Sequence, residues 1–510
     1  MSYSMYLLLA AATLGSNKTH PVSDSSRPTE DDWRAVVELA LQRLAKIVEA
    51  FSQQRVTPAG MFRFEQDLHR EGQELVRVTM QWICNRLEAA DVQALPKHVR
   101  FEASSYTRLN KKTPQNMWTR FGQIRLWRVG YRPTDNSGDA TIFPLALSLG
   151  LVHGATPALA ERAAHLLGGT GMTQAQTLER LRQDHRVHWG VKKLRQVTQA
   201  VSYALADERQ EVQVEQLLQW LKQAAASNGK HKPVVSVGRD GITMGIRIKR
   251  GRLFEVATAG TVSVLDRSGR RLGTVYLAHT PESNQPTMSR ELTGLLRELL
   301  LRWHGPLPRL CYVTDAGDNE TAYYEKVLRR MKHPSTGEAL AWIRVVDYYH
   351  ASTRIWALAE LLFGKGQSAS AWARKMLKWL KKPGGVNRVL HSAAALRDLQ
   401  MRPRKQAEFA KAYCYLRERM AFMRYSDYKS VGVPLGSGVT EAACKTVYTQ
   451  RLKLSGMAWH SVGAQAVLNL RVLQLSSVWD AAYARMLATY DEPQVGGQKR
   501  LAPTQAKNAA

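Results

Sequence analysis

Acidic residues are scarce in this chain of 510 residues: 43 Asp and Glu stand against 72 Lys and Arg, a formal net charge of +29. An excess of that size concentrates anions around the protein, which places nucleic acid or an anionic membrane surface ahead of acidic or neutral partners. Long apolar runs are also missing. No stretch of 18 or more apolar residues occurs, so no bilayer-spanning segment is expected and the membrane option weakens. The apolar start at residues 5–14 has no Lys or Arg before it, and Leu14-Gly15-Ser16 is a poor cleavage site, which points to an N-terminal helix or an upstream start rather than export. Cysteine is rare: Cys84, Cys311, Cys414 and Cys444 lie far apart with no C-x-x-C pair, offering neither a disulfide framework nor a zinc knuckle. A reducing cytoplasm suits that usage.

What is present suits a folded protein of several domains. Hydrophobic residues make up 44% of the chain, and its length calls for two to four domains. Residues 1–32 and 486–510 read as mobile polar tails. Residues 33–99 carry apolar positions at helical spacing, among them Val36, Leu39, Leu44 and Ile47, and form a helical N-terminal domain. Residues 100–147 turn to short alternating segments, clearest at Phe121-Gly-Gln-Ile-Arg-Leu-Trp-Arg-Val, and read as a small β-containing element. Residues 148–230 return to helices. There Leu159, Ala163, Leu166 and Leu167 make one stripe, a glycine-containing turn follows at 168–171, and Thr173 opens a second stripe through Leu178 and Leu181. With Lys192, Lys193 and Arg195 behind it, this is the pattern of a helix-turn-helix DNA reader, and equally that of two core helices joined by glycine.

From Pro233 the texture becomes α/β. Residues 234–238 open a strand that resumes at 242–249; strands at 253–264 and 272–279 complete a meander. Ser289 then caps an amphipathic helix bearing Leu292, Leu295, Leu296 and Leu299, followed by a strand at 309–314, a helix at 321–331 and a strand at 341–346. Meander, helix, strand, helix, strand is the chain order of an RNase H-like domain. The expected fold is therefore multidomain α/β plus α: an RNase H-like core of mixed sheet and flanking helices, covering 233–350 and 436–485, interrupted by a basic α-helical insertion at 351–435 and preceded by the helical and helix-turn-helix-like regions.

Three carboxylates stand out against that frame. Asp240 lies on the first strand in Val237-Gly-Arg-Asp-Gly, Asp315 ends the fourth in Tyr312-Val-Thr-Asp-Ala-Gly-Asp, and Glu441 falls in Leu435-Gly-Ser-Gly-Val-Thr-Glu, where Ser437 or Thr440 can cap a helix. Carboxylates from two neighbouring strands and a helix can hold two Mg²⁺ ions about 4 Å apart, which activate water and stabilise the leaving oxygen. Hard cations take oxygen ligands, which is why Asp and Glu serve here. An Asp before Gly is also an ordinary turn former, and Asp318 and Glu320 compete with Asp315 for its role. Asp347 and His350, in Asp347-Tyr-Tyr-His350, set a carboxylate and an imidazole just after the last strand as possible accessories. His350 is open between a structural role and one that positions the scissile strand or a proton.

These motifs, Gly238-Arg-Asp240-Gly, Val313-Thr-Asp315-Ala-Gly, Asp347-Tyr-Tyr-His350 and Gly436-Ser-Gly-Val-Thr-Glu441-Ala-Ala-Cys-Lys445, followed by Arg451-Leu-Lys453-Leu-Ser-Gly456-Met457-Ala-Trp459, resemble those of bacterial insertion-sequence DDE transposases of the ISKra type. That group is similar in turn to Mutator-like and hAT transposases, which share a C/D-x-x-H step. The resemblance covers roughly residues 233–475. It implies Asp240, Asp315 and Glu441 as catalytic metal ligands for Mg²⁺, with Mn²⁺ as a substitute, and DNA as the partner, both element ends and target. It also implies transfer of freed 3′-hydroxyl ends to target DNA and a homodimer or higher oligomer on DNA. The cysteines that such proteins often carry before the Pro-Leu segment have no counterpart in Tyr131-Arg-Pro-Thr-Asp-Asn-Ser-Gly-Asp.

The insertion holds 17 Lys and Arg against 5 Asp and Glu, a net +12 in about a sixth of the chain. Arg374, Lys375, Lys378, Lys381 and Lys382 cluster there with Trp372 and Trp379. One reading is a solvated helix face over core tryptophans; the other is a phosphate-tracking surface on which Trp356, Trp372 or Trp379 stacks an unpaired base. Lys445, Arg451 and Lys453 extend the DNA-contacting set beyond Glu441, with an i,i+4 ion pair as the alternative for Lys445. The expected function is that of a cytoplasmic, nucleoid-associated DNA transposase. Its rivals are an inactive or domesticated DNA-binding protein and an RNase H-like structure-specific nuclease without strand transfer.

Overall fold

The computed structural model describes residues 30–101, 104–134, 140–397 and 402–491. Of the expected tails, residues 1–29 and 492–510 lie outside the described residues, whereas 30–32 open the helix Glu30–Ser52 and 486–491 finish the helix Trp479–Asp491. The chain divides into two compact units, one of Met1–Leu167, Thr173–Ala204 and Met486–Ala510, the other of Gly168–Met172 and Leu205–Arg485.

The first unit pairs helices α1 (Glu30–Ser52) and α2 (Pro58–Arg86) with an antiparallel sheet of β1 (His98–Phe101), β2 (Ser104–Thr119) and β3 (Gly122–Pro133). Thr57 starts α2 by accepting the Gly60 N–H, with proline in the first turn, where the missing N–H costs nothing. Alternation on β2 and β3 turns Met117, Ile124 and Leu126 inward to meet Cys84 of α2. The edge of β3 is sealed by side chains, Asn85 accepting from Trp127 N at 2.7 Å and Glu88 from Val129 N at 2.8 Å. Helices α3 (Pro144–Ser148), α4 (Pro157–Gly168) and α5 (Gln174–His185) follow, and α6 (Val191–Ala226) begins here. Thr173 and Gln176 form the capping box of α5, whose Thr177, Leu181 and His185 point inward.

The second unit is built on a mixed five-stranded sheet, in the order β6-β5-β4-β7-β8. Strands β4 (Val234–Arg247), β5 (Arg252–Leu265) and β6 (Arg271–His279) form an antiparallel meander, and β7 (Arg309–Thr314) and β8 (Trp342–Val346) run parallel to β4. The parallel crossovers pass through α7 (Pro286–Arg302) and α8 (Asp318–Lys326). Helices cover both faces of this sheet, so alternate residues of its central strands enter two separate cores. Val235, Val237, Leu310 and Tyr312 pack under Leu292, Leu295, Leu296 and Leu299 of α7 and Val214, Leu217 and Leu221 of α6. Val234, Cys311, Val313 and Val345 face a helical layer that follows β8, comprising α9 (Tyr348–Phe363), α10 (Gln367–Leu380), α11 (Gly385–Ala395), α12 (Pro403–Glu418) and α13 (Tyr425–Ser430).

Three local expectations change. Gly238 and Gly241 do not interrupt β4, because its hydrogen bonds to β5 run unbroken from Val234 to Arg247. Helix α7 begins at Pro286 after a left-handed Gln285, and Ser289 does not cap it; its hydroxyl donates to the Gln285 carbonyl and accepts from Arg239 at 2.8 Å. The helix after β7 starts earlier than expected, at Asp318, and ends at Lys326. Among the described residues no helix is long and apolar enough to cross a membrane. Leu295, 1% exposed, sits at the centre of the α7 layer. Leu295→Ala is expected to lower unfolding free energy by roughly 2–5 kcal/mol, read from the urea midpoint.

Candidate active site

Strand register alone sets two of the carboxylates side by side. Val237 and Tyr312 are the last pair of the parallel β4–β7 ladder, and Asp240 and Asp315 each follow three residues beyond it, near enough for the charge of Asp315 to act on Asp240. By alternation both turn to the face of Val234 and Val313, while Arg239 turns to the opposite face. There Arg239 is buried, donating to Gln285 Oε1 at 2.6 Å and Ser289 Oγ at 2.8 Å, with Tyr323 under its guanidinium. Asp315 follows the last residue of β7, and its Oδ1 accepts from Gly317 N at 3.0 Å, shaping a turn in which Ala316 is left-handed at φ 62°.

The third carboxylate arrives on α14 (Gly438–Ala443). Thr440, buried, seats that helix on the sheet: its hydroxyl lies 2.7 Å from Thr261 Oγ1 and fills the place where a Cβ on Gly238 would be. Only glycine at 238 admits so close a helix. Beyond Ala443 the helix widens to π geometry over Cys444–Thr449, a form common at functional sites. Cys444 donates its thiol to Asp240 Oδ2 at 3.4 Å, and Gly241 N donates to Oδ1 at 2.7 Å. Glu441, 46% exposed, has Oε1 at 3.0 Å from His350 Nε2, which comes from the first turn of α9.

Asp347 does not reach this cluster. It is fully buried and spends both oxygens on neighbours: Oδ1 accepts from Tyr349 N at 2.5 Å and His350 N at 3.1 Å, and Oδ2 accepts from the Ser437 hydroxyl at 2.6 Å and from Ser437 N. Its accessory role is therefore positional, capping α9 below His350 and fastening the loop that leads to Glu441. Ser437 stands at the N-cap of α14, but its hydroxyl serves Asp347 rather than the helix.

Burial pushes the Asp240 carboxyl above its ordinary range, opposed by its Cys444 and Gly241 donors and assisted by the charges of Asp315 and Glu441. Glu320, 7% exposed on α8, is pushed up by burial and by Asp315 and Asp240, with its own backbone donor and Arg239 opposing. Burial and Asp240 hold the Cys444 thiol protonated, so it remains a neutral donor. Four carboxylates thus crowd one sheet edge, which is the electrostatic condition a divalent cation relieves. The donor set is all carboxylate oxygen, suited to a hard ion. Among the described residues no three His, Cys, Asp or Glu side chains form a ready metal-binding group; Glu441 engages His350 and Asp240 engages Cys444.

The basic candidates separate into surface and interior. Lys192, Arg195, Arg374, Lys375, Lys378, Lys381, Lys382, Lys445 and Lys453 are exposed. Arg451 is not available to phosphate: it is 0% exposed and lies over Trp459, with burial holding its guanidinium down to about 10. Lys193 is half-buried and donates to the His153 carbonyl. Trp372 is a core residue, 8% exposed, donating to Ser392 Oγ at 3.0 Å, so it does not stack a base. Trp356 packs half-buried against the same core, and Trp379 is flanked by Arg388 at 3.9 Å and Lys382 at 4.6 Å.

Sequence reasoning missed Cys444, three residues after Glu441 and so on the same helix face, where spacing alone could have found it. It gave no sign of the Thr440–Gly238 contact, which joins residues 202 positions apart. Compared with known proteins, the chain matches no family model and no curated sequence.

Two measurements follow. The raised pKa of Asp240 means the folded state binds the proton more tightly, so stability is retained below the unfolded carboxyl range near 3.8 and lost as pH rises through the folded value. In a chelator, Asp240→Asn is expected to raise Tm at pH 8, with the gain vanishing toward pH 3. Asp347→Asn replaces an acceptor of four hydrogen bonds and is expected to cost about 1.5–3 kcal/mol in chemical denaturation.

Proposed function

We propose that this chain is a DNA transposase of the DDE type, with an RNase H-like core that cuts phosphodiester bonds at element ends and joins the 3′-hydroxyl ends to target DNA. The observation that carries the proposal is that Asp240 on β4 feels the charges of both Asp315, directly after the adjacent parallel β7, and Glu441, on a helix docked two residues from Asp240. The strand order, a three-stranded antiparallel meander extended by two parallel strands, is the one expected of an RNase H-like core and supports this reading.

Asp240, Asp315 and Glu441 would hold Mg²⁺, which when bound supplies an activated water and a counter-charge for the leaving oxygen. The chain's own residues prepare that site. The Cys444 thiol and the Gly241 N–H each hold one oxygen of Asp240, fixing the carboxyl plane. His350 holds Glu441 from a helix turn braced by Asp347. Freed from Glu441, that imidazole is placed to contact a scissile phosphate or carry a proton.

Delivery of a polyanion to a nest of carboxylates needs compensating charge nearby. The helical layer between Asp347 and Ser437 carries the net +12, with Arg374, Lys375, Lys378, Lys381 and Lys382 exposed, and Lys445 stands exposed one turn beyond Glu441. In the helix-turn-helix-like region, α5 is itself neutral, with Arg182 engaged by Glu179 at 2.6 Å, so Lys192 and Arg195 at the start of α6 carry the phosphate-contacting role there.

The test is cleavage of duplex DNA bearing the element ends, with Mg²⁺ or Mn²⁺, followed by joining to a target plasmid. Asp240→Ala, Asp315→Ala and Glu441→Ala are each expected to lower the cleavage rate by about three orders of magnitude or more. Cleavage at parental rate by all three overturns the metal assignment. Cutting without joining reduces the protein to a structure-specific nuclease, and divalent-independent binding without cutting to a DNA-binding protein.

A further inference from the structure

The β4–β5 hairpin outgrows the sheet to which it belongs. Strand β7 pairs with β4 only over Val234–Val237, and β6 pairs with β5 only from Thr258 onward. Residues 241–257 therefore continue as a two-stranded antiparallel ribbon, in register to Arg247↔Arg252. Every residue from 247 to 256 is exposed. Four of the ten are cationic, Arg247, Lys249, Arg250 and Arg252, against Glu255 alone. Phe254, 67% exposed, lies over Gly245 across the ribbon, and Leu253 and Val256 are also open. The ribbon is anchored at one edge: Arg247 N donates to the Trp459 carbonyl at 2.8 Å, in the turn that follows exposed Lys453.

We infer that this ribbon is a duplex DNA-binding element that enters the major groove. A groove about 12 Å wide admits a two-stranded β-ribbon, cationic side chains at its tip meet the flanking phosphates, and an exposed aromatic meets base edges or a thymine methyl. A second copy of the chain is disfavoured as occupant, because apposed ribbons bring the same four cations together. A bilayer is disfavoured because Phe254 and Val256 share their face of the ribbon with the paired Arg247 and Arg252 while Leu253 projects from the other face, leaving neither side apolar throughout. The inference rests on the nucleic-acid part of the proposed function and not on the carboxylates. Asp240 lies on the same strand eight residues before Ile248, so the tip is at most about 26 Å from the acidic edge at strand rise.

The experiment measures binding of the full chain to a labelled duplex by fluorescence anisotropy between 50 mM and 200 mM salt. The quadruple variant R247Q/K249Q/R250Q/R252Q, checked for folding by circular dichroism, is expected to bind about tenfold or more weakly, with a log–log salt slope lower by about 3 to 4. Phe254→Ser is expected to keep the slope and lose protection of guanine N7 from methylation, a major-groove readout. Unchanged affinity and slope in the quadruple variant overturn the inference, as does loss of binding to phosphatidylserine vesicles with DNA binding intact. Ribbon-dependent binding by a chain that cuts no DNA leaves this inference standing while the transposase reading fails.

Discussion

The hydroxyl of Thr440 occupies the space that any side chain at residue 238 would need, and the acidic edge depends on that contact. A helix normally packs on a sheet at a separation set by side chains on both surfaces. Removing the side chain on the sheet side lets α14 come down until threonine hydroxyls meet. That approach sets Cys444 against Asp240 and leaves Glu441 on the same rim, where its charge is felt by Asp240. The price is local like-charge repulsion, which the surrounding core holds in place: β4 and β7 are buried on both faces, and neither strand can shift to separate the carboxylates without breaking a ladder.

Alternation along β4 gives the edge a second property. Arg239 and Asp240 are sequence neighbours with opposed destinations, one locked behind the sheet by Gln285 and Ser289, the other turned to the rim. The buried guanidinium lowers the cost of nearby negative charge without competing for it in solvent, and Glu320 feels it directly. Positive charge that faces solvent is distributed elsewhere, on the helical layer after β8 and on the β4–β5 ribbon.

Much of the second unit was legible because its strands carry apolar runs bounded by turn residues, and because Leu292, Leu295, Leu296 and Leu299 repeat at helical spacing. Asp240, Asp315 and Glu441 could be read as a set since Asp240 lies on an early strand, Asp315 directly follows an apolar one and Glu441 comes in the first turn of a helix. What stayed hidden is what depends on distance in sequence. Trp372 and Arg451 were grouped with surface cations by proximity along the chain, yet tertiary packing buries both. Asp347 near His350 suggested a pair, whereas the residue that caps a helix has free backbone donors at hand and takes them. Glycines at 238 and 241 looked like breaks because propensity carries no information on a helix that arrives 200 residues later.

The clamp between Asp347 and Ser437 has a topological meaning. Tyr348 N also donates to the Leu435 carbonyl at 2.9 Å, so the chain leaves the sheet and returns to it within a single hydrogen-bonded step, 90 residues later. The excursion is a closed loop whose ends meet at that staple and whose inner helices also bond to the sheet, Tyr425 to the Val346 carbonyl and Tyr428 to the Arg344 carbonyl. Loop-closure entropy grows only logarithmically with length, so the outer turns of that layer can lengthen, shorten or exchange helices at little cost while the two ends remain pinned. The rim that holds Glu441 is thereby insulated from change in the part of the molecule most free to vary.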